Sequence, residues 1–421
     1  MEKPVAARHS QPSDAELLEE VQRRAVRFFW EVADPKTGLI NDRASNFTED
    51  SSTVASIAAT GYGLAALSIA AERGWVVRDE AVNRAKLTLR FLLEMPNEHG
   101  WMRHFVDKRT GERAWDSEFS SIDTALLLAG ALVCGEYFAA ELEIAQLVDQ
   151  LYRRIDWWWM LTNNGTHPEK RVLSHGWRPI TGFIQYNYGS YSEAILLYIL
   201  GLGAPVGPLP AECWDAIDRP IFAYAGFESL HGGPIFIHQM PAGYFKLSDQ
   251  RDRFGIDYWV SSANAMKIDR RFCADHAFER KTYTSGFWGL NASDGPDGYK
   301  AYGAYDSSED GTVSPTGAIS SISFDPGPAI SVTRLMYDRL GETLWGKYGF
   351  ANSFNLDRNW HSPDVIGIDL GMALLAIENH RTGLIWQLMN NLGLTARALA
   401  AAGFQKTTEV ESRLVLRKSL G

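Results

Sequence analysis

The chain has 421 residues, of which 45% are hydrophobic and 22% charged, a balance typical of a soluble globular protein. The net charge of −10 argues against a nucleic-acid backbone as partner, and no apolar run is long enough to span a membrane. The lone cysteines Cys134, Cys213 and Cys273 have the spacing of neither a metal site nor a disulfide framework, and we expect no metal and no cofactor.

Residues 1–13 contain no apolar segment of the kind found in signal peptides. We predict that they form a flexible tail. The protein is expected in the cytoplasm, or in the periplasm or outside the cell if an export signal has been removed.

Helical spacing of apolar residues predicts most of the secondary structure. Ser13 and Asp14 have the capping chemistry of a helix start, and the helix they open is expected to continue to residue 33. Segments 53–74, 120–138, 192–203 and 366–381 are nearly apolar on all sides, which indicates buried helices.

Segments 79–93 and 141–160 are amphipathic, so helices of an inner type alternate with helices of an outer type. This alternation predicts an all-α fold, an (α/α)6 barrel built as a toroid of helical hairpins. A helical-repeat solenoid is the alternative, but the sequence shows no fixed period.

Four long connections are rich in glycine, aromatic and polar residues: 96–117, 161–190, 228–251 and 282–325. Long loops in a compact domain commonly carry function. We therefore expect these loops, with short β-hairpins inside them, to surround a cleft.

Glu193 stands at the start of an apolar helix, directly after a segment that contains Trp177, Tyr188 and Tyr191. A carboxyl group packed against aromatic side chains holds its proton more tightly, as a general acid requires. The alternative is an ordinary capping glutamate in the first turn of the helix, and composition alone favours that alternative.

Two further acids enter apolar helices. Asp123 precedes the run TALLLAGAL, and Asp369 is bracketed by Ile368 and Leu370. A buried charge needs a partner or a function, although an acid in a first helical turn is common for structural reasons.

Trp288 lies in a glycine- and tyrosine-rich segment typical of a loop that lines a sugar groove. His238 and Gln239 are candidate ligands for sugar hydroxyl groups, whereas a lone histidine is more often structural. Carboxylates and aromatic residues without a cofactor motif indicate glycoside hydrolysis, in which one acid protonates the leaving oxygen and another carboxylate activates water or attacks directly.

Several segments resemble the bacterial glucoamylase-like domain family, which includes the β-1,2-glucanases of glycoside hydrolase family 144 and the related domain of cyclic β-1,2-glucan synthases. The segments are SIAATGYGLAALSIAAERGW, SSIDTALLLAGAL, YSEAILLYILGLGAP, WGLNASDGP and PDVIGIDLGMALLAIENHRTGLIW. The resemblance covers residues 25–389. It implies a single (α/α)6 domain over residues 14–421 and metal-independent, inverting hydrolysis of β-1,2-glucan.

The resemblance also implies roles for individual residues. Glu193 matches the general acid, Asp369 a general-base candidate and Asp123 a further acid of the cleft. The expected partner is a glucan oligosaccharide or polysaccharide. The residues expected to contact it are Arg43, Trp177, Tyr188, His238, Gln239, Trp288 and Asp294.

The chain departs from the family pattern in two places. It has Tyr191-Ser192-Glu193 where the family commonly has Tyr-Asn-Glu, and His238-Gln239 continues as MPAGYFKLSDQRD in place of the family's HQYSHxWxDFR. Three alternatives stay open: a transglycosylase, a hydrolase of another glucan linkage, and a non-catalytic glycan-binding toroid.

Overall fold

The structure, a computed structural model, describes residues 12–162, 171–304 and 308–407. Most of the predicted N-terminal tail lies outside the described residues. Within them the fold is mostly helical. The helices are α1 (Asp14–Glu31), α2 (Ile57–Glu72), α3 (Arg78–Glu94), α4 (Ser121–Tyr137), α5 (Leu142–Arg153), α6 (Trp157–Met160), α7 (Ile195–Leu202), α8 (Glu212–Asp215), α9 (Phe236–Tyr244), α10 (Tyr258–Asp275), α11 (Lys281–Thr284), α12 (Pro315–Ser320), α13 (Pro326–Leu344), α14 (Gly367–Arg381), α15 (Leu384–Asn391) and α16 (Gly393–Ala401).

Short strands fill the connections between the helices. They are β1 (Arg43–Ser45), β2 (Val54–Ser56), β3 (Met102–Arg103), β4 (Phe105–Asp107), β5 (Phe119–Ser120), β6 (Gly176–Arg178), β7 (Gly182–Phe183), β8 (Phe222–Tyr224), β9 (Phe227–Ser229), β10 (Gln250–Arg251), β11 (Ala292–Ser293), β12 (Lys300–Ala301), β13 (Trp345–Gly346), β14 (Gly349–Phe350), β15 (Phe354–Asn355), β16 (Trp360–His361), β17 (Asp364–Ile366) and β18 (Gln405–Lys406).

The first helix begins where the capping residues predict. The Ser13 hydroxyl accepts a hydrogen bond from the Glu16 amide at 3.3 Å, and the Glu16 carboxylate accepts one from the Ser13 amide at 2.7 Å. This reciprocal pair is a capping box, which satisfies two amides that the helix itself leaves free. The predicted start of α1 is therefore confirmed.

Two helices occur where the sequence predicts loops. The helix α9 contains Pro241, and α12 begins at Pro315 in a segment rich in serine and glycine. Proline and glycine weigh against a helix in local prediction. Both segments are nevertheless buried, so tertiary packing decides their conformation.

The buried helices contact one another in a closed ring. The helix α2 packs on α4, α4 on α7, α7 on α9, α9 on α14, and α14 on α2. Amphipathic helices lie behind them: α3 and α5 pack on each other and contact α2 and α4 respectively, α16 contacts α7, and α1 contacts both α2 and α14.

Glycine permits the closest contact in this ring. A Cβ atom on Gly130 of α4 would lie 1.8 Å from the carbonyl oxygen of Gly61 in α2. A Cβ atom on Gly371 of α14 would lie 2.2 Å from the ring of Tyr62.

The helices α2, α4 and α14 begin at the same end of the ring. The Ile57 amide at the start of α2 donates to the His104 carbonyl, and the His104 ring lies 3.5 Å from Asp123 in the first turn of α4. The Gly367 amide at the start of α14 donates to the Asp42 carbonyl, and the Asp42 amide donates to the carbonyl of Val54 in β2.

Short antiparallel sheets lie where these helices begin. The strand β2 leads directly into α2 and pairs with β4. The strand β5 leads into α4 and pairs with β3 and β6. The strand β17 leads into α14 and pairs with β1. The predicted short hairpins are confirmed in two of the four long connections: β6 pairs with β7 in 161–190, and β11 pairs with β12 in 282–325. In 96–117, β3 and β4 pair with β5 and β2 instead of with each other.

Cys134, Cys213 and Cys273 are buried free thiols. Among the described helices, none combines the length and the apolar character needed to cross a membrane.

We expect Gly130→Ala to lower the free energy of unfolding by about 3 kcal/mol, because the new methyl group would meet backbone atoms that cannot rotate away. The matched control is Gly341→Ala in α13, where an added Cβ atom meets nothing within 4 Å. This control is expected to raise stability by about 0.5–1 kcal/mol. Urea unfolding of the full chain measures both changes, and equal effects of the two substitutions would contradict the close packing of α2 on α4.

Candidate active site

Three of the predicted acids lie at the beginnings of buried helices. Asp123 is the third residue of α4, and Asp369 is the third residue of α14. Glu193 precedes α7 by two residues. The prediction that Glu193 lies within the first helical turn is therefore wrong. The amides of Ile195 and Leu196 bond three residues back, to the carbonyls of Ser192 and Glu193, so the chain forms a tight turn there before the helix begins.

Glu193 has a carboxyl group without a counter-ion. Its side chain keeps some exposure, yet burial, with a smaller contribution from the charge of Asp123, raises the pKa of Glu193 to about 7. Among the described residues, no Lys, Arg or His lies within ion-pairing distance of it. A carboxyl group in these surroundings retains its proton near neutral pH.

Tyrosines surround Glu193, as the sequence predicts. Burial raises the pKa of Tyr188 and of Tyr191, and the charge of Glu193 adds to both effects. The ring of His175 stacks on Tyr188 with centroids 3.9 Å apart. The Tyr191 hydroxyl lies 2.9 Å from Nδ1 of His238, which fixes the ring.

Asp123 has two polar partners. The Ser120 hydroxyl donates a hydrogen bond to its Oδ2 at 2.5 Å, and Nε2 of His104 lies 3.5 Å from its Oδ1. Burial raises the pKa of Asp123, while His104 and the Ser120 hydroxyl oppose that rise. The other ring nitrogen of His104 lies 3.2 Å from Glu118.

Asp369 is buried against an amide. The side-chain nitrogen of Asn352 donates a hydrogen bond to Oδ2 of Asp369 at 2.6 Å, and its oxygen accepts one from the Asp294 amide at 2.9 Å. Burial raises the pKa of Asp369 to about 7, the Asn352 hydrogen bond opposes this, and the charges of Asp294 and Asp42 add to it.

The structure brings Arg43 and Asp294 together, although 251 residues separate them in sequence. Nη1 of Arg43 lies 3.1 Å from both carboxylate oxygens of Asp294, and Nε lies 3.1 Å from Asp42. Asp364 is 3.8 Å away, and the Ser362 hydroxyl donates to Asp294 at 3.1 Å. Pairing of β1 with β17 brings Asp364 near Arg43, because it sets Arg43 opposite Ile366 and Ser45 opposite Asp364. Asp294 is held by the Asn352 side chain, which accepts a hydrogen bond from its amide.

Asp42 connects the acids electrostatically. Its charge raises the pKa of both Asp123 and Asp369, after the larger effect of burial in each case. Asp123 in turn acts on Glu193. The four carboxyl groups therefore belong to one acidic cluster at the end of the ring where α2, α4 and α14 begin.

His238 and Gln239 do not face this cluster. His238 is 1% exposed, with Nδ1 near the Tyr191 and Ser262 hydroxyls and Nε2 3.2 Å from the His231 carbonyl oxygen. Burial lowers the pKa of His238 to about 3. The amide nitrogen of Gln239 donates to the Gly317 carbonyl at 2.8 Å. Both side chains are buried within the protein, so the structure gives no support for direct sugar contact, which stays a prediction.

The two predicted tryptophans, Trp177 and Trp288, also pack away from the acidic cluster. Trp288 is 5% exposed and belongs to a hydrophobic cluster together with residues of α13. Trp177 packs against Trp159 and Phe119, with ring centroids 5.6 Å and 5.9 Å apart. The guanidinium group of its neighbour Arg178 lies 3.7 Å from the Glu118 carboxylate. Successive residues of a strand have side chains on opposite faces of the sheet. Trp177 therefore faces away from the Glu118 side, and the prediction of a subsite at these two tryptophans is not supported.

The sequence analysis missed Asp42, His104 and Asn352. Asp42 adjoins the predicted Arg43, and its place in an Asn-Asp-Arg triplet is the one signal that pointed to it. His104 and Asn352 are single polar residues in connections between helices, and they reach the acids through strand pairing that no local pattern reveals.

A cavity of about 950 Å³ lies beside strand β1. Its lining includes Asn41, Phe47 and Tyr348 but none of Asp123, Glu193 and Asp369. The acidic cluster and this cavity are therefore distinct features. Within the described part of the chain, no group of three or more His, Cys, Asp or Glu residues is arranged to hold a metal ion.

Comparison with known proteins identifies relatives over most of the chain. Residues 185–392 match the family model described as "Putative glucoamylase". The chain is 28% identical over 417 residues to an exo β-1,2-glucooligosaccharide sophorohydrolase (non-reducing end) from Parabacteroides distasonis. That alignment covers 89% of this chain and 56% of the relative, so the chain spans about half the length of the curated relative it matches.

Solved structures agree with this relationship. The endo-β-1,2-glucanase from Chitinophaga pinensis, in complex with sophorotriose and glucose, superimposes with a TM-score of 0.87 at 26% identity, covering 94% of this chain and 99% of that one. The β-1,2-glucanase from Parabacteroides distasonis gives 0.86 at 25% identity, covering 93% and 60%. The resemblance predicted from the sequence is confirmed: residues 185–392 match the glucoamylase family model, and the chain is similar in sequence and fold to β-1,2-glucanases.

Proposed function

We propose that the protein is a glycoside hydrolase that cleaves β-1,2-glucan or sophoro-oligosaccharides. The observation that carries the proposal is the carboxyl group of Glu193, which has no counter-ion among the described residues and a pKa raised to about 7 by burial and by Asp123. The activities of the similar proteins, β-1,2-glucanase and β-1,2-glucooligosaccharide sophorohydrolase, supply the linkage.

Glu193 acts as the general acid in this proposal. A glycosidic oxygen is a poor leaving group until it receives a proton, and a carboxyl group that is still protonated near neutral pH can supply one. The partial exposure of the Glu193 side chain leaves it accessible to substrate.

Asp369 acts as the general base. It accepts a proton from water, directly or through a relay, while that water attacks the anomeric carbon with inversion. The Asn352 hydrogen bond at 2.6 Å fixes one carboxylate oxygen, Oδ2. Asp123 tunes the charge near the acid.

Arg43, Asp294 and Tyr188 form the proposed substrate site. The charges of Asp294 and Arg43 act on the pKa of Asp369, and the charge of Glu193 acts on the pKa of Tyr188. Trp177, Trp288, His238 and Gln239 lie outside it. We further propose that the closed ring of buried helices is the inner layer of an (α/α)6 barrel and that residues 14–421 form one domain. The closed contacts from α2 through α4, α7, α9 and α14 support this architecture.

We expect Glu193→Gln to reduce hydrolysis of linear β-1,2-glucan by about 10²–10⁴-fold, the usual range for loss of a general acid. Glutamine has nearly the same shape but donates no acidic proton. Release of reducing ends and sizing of the products measure the effect.

The matched control is Glu212→Gln, an exposed acid in the first turn of the short helix α8, which is expected to leave activity unchanged. Full activity of Glu193→Gln would show that another group is the acid. Cyclic or elongated products from the wild type would identify a transglycosylase, and sugar binding without turnover would identify a glycan-binding protein.

We expect kcat/KM to follow a narrow bell centred near pH 7. Activity falls above this pH because Glu193, with a pKa raised to about 7, loses the proton it must donate. It falls below this pH because Asp369, with a pKa also raised to about 7, becomes protonated and cannot act as a base. Initial rates at low substrate from pH 4 to pH 10 test this, and a flat profile between pH 5 and pH 9 would contradict the two assignments.

A further inference from the structure

His104 occupies a fixed position between two carboxylates. It lies between β3 and β4, with Nδ1 3.2 Å from Glu118 and Nε2 3.5 Å from Asp123. Its ring stacks on Phe105 with centroids 3.7 Å apart. Its backbone amide donates to the Glu118 carbonyl at 2.9 Å, and its carbonyl accepts from the Ile57 amide at 3.2 Å. These contacts hold the imidazole in place, although 33% of the side chain remains exposed.

We infer that His104 is a positioning residue for the proposed hydrolysis: its imidazolium holds Asp123 as a carboxylate beside Glu193, and Asp123 in turn keeps the proton on Glu193. The inference rests on the proposed function. It assigns to His104 an effect that passes entirely through Asp123.

The charges around His104 favour its protonated form. Glu118 faces it from the residue before β5, Asp123 from α4 and Asp42 from the residue before β1, while Arg178 of β6 lies 3.7 Å from Glu118. Burial alone would lower the pKa of His104, but the three carboxylates outweigh burial and raise this pKa to about 9. The imidazole therefore carries a positive charge at neutral pH.

Asp123 depends on that charge. Burial raises the pKa of Asp123, and the two influences that oppose the rise most strongly are His104 and the Ser120 hydroxyl. Without the imidazolium, Asp123 keeps only the neutral hydroxyl partner and takes up a proton more readily.

A protonated Asp123 no longer repels the ionised form of Glu193. The pKa of Glu193 then falls, although the larger contribution of burial remains. A purely structural role for the His104 ring would lower kcat or stability without moving this pKa, so the pH dependence separates the two roles.

The test is the pH profile of kcat/KM on linear β-1,2-glucan for His104→Gln, Asp123→Asn and the double variant. We expect the basic limb to move to lower pH by about half a unit to one unit in each single variant. The double variant should move it no further than Asp123→Asn alone, because the two residues act in series. The inference would be overturned if the basic limb of the pH profile did not move in His104→Gln. It would also be overturned if the shift in the double variant equalled the sum of the two single shifts.

His380→Gln is the matched control, because His380 is exposed at the opposite end of α14 from Asp369. It should leave the profile unchanged. A wild type that does not hydrolyse the glucan would refute the proposed function, whereas an active wild type with an unmoved limb in His104→Gln refutes this inference alone.

A second measurement covers the case in which His104→Gln does not fold. In the full chain labelled with ¹³C at histidine, the His104 ring should titrate near pH 9 in the wild type and at clearly lower pH in Asp123→Asn. Identical titration in the two proteins would show that Asp123 and His104 are not coupled, and would overturn the inference.

Discussion

The close approach of three helix beginnings governs the rest of this structure. Gly130 and Gly371 let α4 and α14 pack against α2 with almost no space between them. The first turns of these helices meet at one end of the ring, where the backbone of His104 and Asp42 bonds to the amides of Ile57 and Gly367. Each first turn of α4 and α14 carries an aspartate, since a helix N-terminus favours negative charge. Crowding the same turns also removes water, which disfavours the charged form of a carboxyl group. The balance between these two effects sets the protonation of the cluster.

The three acids differ in the partner that offsets the loss of water around their carboxyl groups. Asp123 has a cationic partner in His104, Asp369 has the neutral amide of Asn352, and Glu193 has no cation within pairing distance among the described residues. These environments correspond to the roles that the proposal gives them. Glu193, without a counter-ion, keeps a proton that it can donate. The hydrogen bond from the amide holds Asp369 in a defined orientation. Asp123, paired with a cation, remains charged and raises the pKa of its neighbour Glu193.

Sequence reasoning recovered the helices because helical periodicity is a local property, as the capping box at Ser13 and the apolar run after Asp123 illustrate. It could not find the pairing of Arg43 with Asp294, which depends on strand contacts between distant segments, and the resemblance to a family supplied both residues instead. His104 escaped notice for the same reason. Trp288 was misplaced because a tryptophan among glycines suits a sugar groove and a hydrophobic core equally well, and only packing distinguishes them.

The central claim is that a β-1,2-linked glucan is cleaved beside Glu193 in the acidic cluster. A crystal structure of Glu193→Gln soaked with sophoro-oligosaccharides tests it most directly. The account predicts a glycosidic oxygen within hydrogen-bonding distance of the side chain at position 193, with an ordered water on the side of Asp369. An oligosaccharide bound instead in the separate cavity beside Phe47 and Tyr348, with none at position 193, would contradict it.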